Sequence, residues 1–115
     1  MEGVIVYKGK YGATKQYAEW LNLELQLPLM HPQNLNATRL APYDFVMIGS
    51  SVYEGRLLIR RWLKQHATIL QNKKVFMFIV CATQSTENKK LEVIVKNNIP
   101  EEILKNCSVY FLRVE

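Results

Sequence analysis

Five short apolar runs, separated by stretches of helical spacing, set the layout of this chain. Residues 4–7, Val-Ile-Val-Tyr, are β-formers and predict a first strand. Residues 14–26 follow with Tyr17, Ala18, Leu21 and Leu25 at helical intervals, which predicts a helix with one apolar face. Residues 27–31 predict a short second strand, and Pro28 assigns it to a sheet edge. Residues 34–42 read as a polar connection anchored by Leu35 and Leu40, and residues 44–49, "DFVMIG", as a third strand. Residues 55–70 predict a second helix, with Leu58, Ile59, Trp62, Leu63 and Ile69 inward and Arg60, Arg61 and Lys64 toward solvent. Residues 74–82, "KVFMFIVCA", do not alternate, as expected of a central parallel strand buried on both faces. Residues 86–97 predict a third helix with Leu91, Ile94 and Val95 inward. Residues 101–105 add a helical turn, and residues 108–114, "SVYFLRV", a fifth strand.

Strands alternating with helices imply a parallel sheet with helices on its faces. In such sheets ligands collect at the carboxyl ends of the strands, beside the point where the strand order reverses. The length of 115 residues suits a single domain, 1–115. Residues 1–3 lead directly into a strand, with no signal peptide and no apolar run of membrane-spanning length, so a cytoplasmic protein is expected.

Charge narrows the partners. The formal net charge is +5, which favours anionic ligands. The lysines and arginines are scattered, without the compact basic tract and interleaved aromatics of a nucleic-acid surface. Cys81 and Cys107 belong to no CxxC or CxxH pair, so no zinc site follows from them. They fall at opposite ends of the last two predicted strands, too far apart for a disulfide.

Three segments meet at the ligand-binding end. After the first strand come Lys8, Gly9, Lys10, Tyr11, Gly12, Ala13 and Thr14; after the third, Ser50, Ser51, Val52, Tyr53, Glu54 and Gly55; after the fourth, Thr83, Gln84, Ser85 and Thr86. All three are rich in small or hydroxylic residues, and none carries a cluster of acids and bases. That composition suits binding an anion and a flat ring better than acid–base catalysis. Gly12 lets backbone approach a phosphate, and Thr14 offers a hydroxyl where the helix begins. From spacing alone, a plain strand-to-helix turn with a threonine cap explains the same residues equally well. The acidic site of a phospho-receiver domain is missing, since Lys8 and Ser50 stand where carboxylates would be needed. The Cys-x5-Arg of a low-molecular-weight phosphatase and the GxxxxGK[ST] nucleotide loop do not fit either.

"YKGKYGATKQYAEW", "DFVMIGSSVYEGRLLIRRWLKQH" and "KKVFMFIVCAT" together resemble the flavodoxin-domain family, and most of all its branch related to menaquinone-dependent protoporphyrinogen oxidase. The resemblance spans residues 4–113. It implies a three-layer flavodoxin-like sandwich with a five-stranded parallel sheet of order 2-1-3-4-5, FMN as cofactor, and electron transfer through the flavin. The family's phosphate motif, (Ser/Thr)-x-x-Gly-x-Thr, falls on residues 9–14; Gly12 and Thr14 match, and Gly9 stands where a hydroxyl is usual. By the same resemblance residues 50–55 run along the isoalloxazine, with Tyr53 stacking on it, and residues 83–86 lack the second sandwiching aromatic of many electron carriers. That departure, and the basic charge, favour an oxidoreductase domain over an electron shuttle. The alternative is a flavodoxin-like domain that has lost FMN and serves in binding or assembly. The family's sheet is usually followed by a last helix, absent after "SVYFLRV". The expectation is a sheet face left open and covered by a homodimer or another chain; the redox partner is unspecified.

Overall fold

The computed structural model describes residues 1–10, 12–81 and 88–113. In chain order the elements are β1 (Gly3–Lys8), α1 (Ala13–Leu25), β2 (Leu29–Met30), a 3₁₀ turn (Pro32–Asn34), α2 (Ala37–Leu40), β3 (Phe45–Tyr53), β4 (Arg56–Leu57), α3 (Arg60–Gln65), α4 (Ala67–Leu70), β5 (Lys74–Cys81), α5 (Asn88–Asn98), α6 (Glu101–Leu104) and β6 (Cys107–Arg113). The sheet runs β2-β1-β3-β5-β6, all parallel, with β4 paired antiparallel to the tip of β3. This is the order that the family resemblance implies, with one small strand added.

The period of two along each strand divides the core into two layers. Val4, Val6, Val46, Ile48, Val75, Met77 and Ile79 face one side and pack with Leu35, Leu40, Leu63, Leu70, Leu91 and Ile103. Ile5, Phe78 and Val80 face the other side, against Ala18, Tyr17 and Leu21 of α1. Gly49 lies under the Phe78 ring, where an added Cβ would come within 2.2 Å of the ring edge. Every residue of β5 from Met77 to Cys81 is buried, as the unbroken apolar run required. On the α1 side Phe45, Met47, Phe76 and Leu112 are half-buried, and Tyr110 is exposed. No helix among the described residues is long and apolar enough to cross a membrane.

Several expectations need correction. The second helix does not start at Gly55. The chain first turns back at Glu54 and Gly55, whose φ angles of 51° and 78° are those of a type I′ hairpin turn. Val52 pairs with Leu57 and Tyr53 with Arg56. The expected long helix is also two short ones, α3 and α4, divided at His66. There the ring Nδ1 and the backbone amide of His66 both converge on the Trp62 carbonyl, at 2.9 and 3.1 Å. The connection at 34–42 holds the helix α2, capped by the Asn36 side chain, which accepts from the Arg39 amide at 3.0 Å. Leu25, expected on the apolar face of α1, is exposed, and so is Trp20. The second strand shrinks to two residues, at the edge as Pro28 implied.

Register settles the cysteines. Cys107 pairs across from Val75 and Cys81 from Arg113, at opposite ends of the two strands, and both thiols are free.

Candidate anion and ring site

The turn between β1 and α1 is built around Gly12. It stands at the N-cap with φ 94°, has no side chain to cap the helix, and is exposed. A side chain is strained at that φ, whereas glycine adopts it freely. No acidic residue occupies the first turn of α1. The first N–H groups of a helix have no partner within it, no side chain caps them among the described residues, and the helix dipole adds partial positive charge to them. Lys8, Lys10 and Lys15, with Arg61 opposite, line a cleft of about 530 Å³ along this turn. Uncapped amides under a collar of ammonium groups can receive an anion.

Ser50 and Ser51 have different fates because they point to opposite faces of β3. Ser51 faces α1. Its Oγ is 2.7 Å from Thr14 Oγ1 and accepts from the Lys10 amide at 3.2 Å. Ser50 faces the other layer and is fully buried. Its hydroxyl accepts from the Ile59 amide at 3.2 Å and donates to the Ser51 carbonyl at 2.9 Å, which anchors the approach to α3. Thr14 is also fully buried. Gly9 has a steric reason: a Cβ there would lie 2.8 Å from Thr14 Cβ and 3.3 Å from Ser51 Oγ. The Thr14–Ser51 pair thus fills the space that a hydroxylic residue at 9 would need.

Tyr53 ends β3 on the α1 side, half-exposed, with the Lys10 ammonium 3.5 Å from its ring centroid. That contact joins the first and second segments over the mouth of the site. Val52 points to the opposite layer, toward Leu57. Glu54 and Gly55 form the exposed hairpin turn. Of the expected site residues, Lys8, Gly9, Lys10, Gly12, Ala13, Thr14, Ser51 and Tyr53 come together at the sheet's carboxyl end. Ser50 and Val52 are turned away into the core layer. Tyr11, Thr83, Gln84 and Ser85 lie outside the described residues.

Asn98 was not foreseen. It is 2% exposed and sits at the end of α5. Its Oδ1 accepts from the Leu57 amide at 3.0 Å, and its Nδ2 donates to the Gly55 carbonyl at 2.9 Å and the Ile94 carbonyl at 2.8 Å. It ties the hairpin to α5. A polar residue directly before Ile99 and Pro100 was the one available signal.

The flavodoxin-domain family model matches residues 4–112. No match was found among curated proteins. Solved structures share the fold at low identity. The two-electron-reduced flavodoxin of Megasphaera elsdenii superposes with a TM-score of 0.69 at 16% identity, covering 95% of this chain and 84% of that one. A flavoprotein in complex with FMN from Lactobacillus acidophilus gives 0.64 at 16% identity, covering 97% and 91%. The oxidised flavodoxin 2 of Bacillus cereus gives 0.62 at 17% identity, covering 99% and 85%.

Proposed function

We propose that this chain, which belongs to the flavodoxin domain family, binds FMN at the turn between β1 and α1 and works as a flavin oxidoreductase domain in the cytoplasm. The observation that carries the reading is the first turn of α1, which has no side-chain cap among the described residues and lies beside Lys8, Lys10 and Lys15. These groups fit a phosphate monoester, which needs several N–H donors and positive charge. Tyr53 at the hairpin offers a ring face to a flat heterocycle. A flavoprotein of the same fold that carries FMN adds support.

When bound, the flavin supplies the one- or two-electron chemistry. The chain's own part is to hold and orient. The amides of residues 13–15 and the lysines hold the phosphate end. The Thr14–Ser51 bond fixes the turn to β3, and Asn98 fixes the hairpin that presents Tyr53. No side chain of the described site is arranged as an acid or base. The net charge of +5 favours an oxidoreductase domain over an electron shuttle, and the resemblance points to the branch related to menaquinone-dependent protoporphyrinogen oxidase.

One observation favours a second reading, in which the domain has lost FMN and binds a partner. The Thr14 hydroxyl is buried and bonded to Ser51, and Gly9 supplies no hydroxyl. FMN titration followed by flavin fluorescence separates the two readings. Quenching that saturates at micromolar FMN supports the oxidoreductase; no quenching at that level leaves the binding module.

A further inference from the structure

A second cleft, of about 900 Å³, opens where the hairpin meets α3. Among the described residues its charged lining is Lys8, Arg56, Arg60, Arg61 and Lys64 against one carboxylate, Glu54. It shares only Lys8, Leu58 and Arg61 with the cleft along the phosphate turn. Arg56, Arg60 and Lys64 belong to it alone of the two. Arg60 adds an observation of a different kind. Its Nε is buried and has no hydrogen-bond partner among the described residues. A buried guanidinium nitrogen without an acceptor is costly and uncommon in native proteins. Five cations around one concavity also repel one another at short range, with one carboxylate to offset them.

The crowding of cations is relieved by one ligand chemistry. We propose that this cleft is a second anion site, which takes the diphosphate group of a nucleotide or dinucleotide. Three guanidinium groups match phosphate oxygens through paired N–H donors, and the two lysines add point charge. A diphosphate concentrates its negative charge over the short span that these groups surround. A single carboxylate would leave most of them unmatched. The cleft is open and roomy enough for the attached nucleoside. Tyr53 lines it too, so a ligand held there lies next to the ring proposed to pack on the flavin.

Calorimetric titration of the full chain with inorganic pyrophosphate tests this, with orthophosphate and citrate as comparators, without FMN and with FMN at saturating concentration. Pyrophosphate should bind about tenfold or more tightly than either comparator, because it alone can engage several of the cations at once. The double substitution Arg56→Gln with Lys64→Gln, at two exposed positions, should weaken pyrophosphate by about tenfold and leave the FMN titration unchanged. Arg60→Gln should weaken it as well. Several results would overturn the proposal. One is citrate or orthophosphate binding as well as pyrophosphate; another is a double variant that binds like the wild type. Displacement of pyrophosphate by FMN would place the anion at the turn of α1 instead. An oligothymidylate that binds more tightly than pyrophosphate would make the cleft part of a nucleic-acid surface. Because the pyrophosphate titration without FMN needs no flavin, its outcome stands whether or not FMN binds.

Discussion

Replacing Asn98 with alanine should loosen the hairpin from α5, and its cost can be worked out group by group. Three hydrogen bonds disappear. The Ile94 carbonyl lies within α5 and keeps its helical environment, and the exposed Gly55 carbonyl can turn to water. The Leu57 amide has no such outlet, because Leu57 is 3% exposed. The stranded Leu57 donor costs ~2 kcal/mol, and the two carbonyls, which keep other partners, add ~1 kcal/mol together. The sum is about 3 kcal/mol, a sizeable part of the ~5–15 kcal/mol that holds a domain folded. For a chain of this length 1 kcal/mol moves the midpoint of thermal unfolding by about 4 °C, so the expected fall is about 12 °C. Circular dichroism on heating measures it. Asn97→Ala, at the exposed neighbouring position, is the control and should shift the midpoint by no more than ~2 °C. Hydrogen exchange at Leu57 should accelerate in Asn98→Ala more than exchange in β5. A fall below ~3 °C, or unchanged exchange at Leu57, would refute the anchoring role.

The same reasoning gives further expectations. Ser51→Ala removes the partner of Thr14 and the acceptor of the Lys10 amide, and should weaken FMN by about tenfold in a fluorescence titration, the equivalent of one bond of ~1.5 kcal/mol. Gly9→Ser, which restores the hydroxyl usual at that position, should lower the unfolding midpoint and fail to tighten FMN, because its Cβ would press on Thr14. Burial pushes the Cys107 thiol up from 9.0 to about 11, against smaller downward pulls from Lys74 and a Met77 backbone hydrogen bond. The unfolded chain then loses that proton at lower pH than the folded one, so this group's contribution to stability is full below pH 9 and declines toward pH 11. Urea titrations across that range should show the decline in the wild type and a smaller one in Cys107→Ala.

The sheet was legible because its signals are strong and local. An unbroken apolar run such as residues 74–82 is hard to satisfy except as a central parallel strand, and Pro28 marked the edge. The hairpin escaped because Glu54-Gly55 is a weaker turn signal than Asn-Gly, and Gly55 beside an apolar-periodic stretch reads as a helix start. The break at His66 depends on a ring nitrogen reaching a carbonyl one turn back, which spacing does not display. At the site, the glycine turn and its lysines were readable as residue types. The division of labour between Ser50 and Ser51 was not, because it needs the end of β3, and the third strand was expected to stop at Gly49. Asn98 binds groups more than forty residues away in sequence, and no local pattern carries such a contact.

Equilibrium titration of the purified chain with FMN, read by loss of flavin fluorescence, bears most directly on the proposed function. A single saturable site in the micromolar range or tighter is expected, weakened by Lys10→Ala, by Lys15→Ala and by added inorganic phosphate, all of which act at the turn of α1. Fluorescence that stays at its free value up to hundreds of micromolar FMN would contradict the account, and so would quenching indifferent to both lysines and to phosphate.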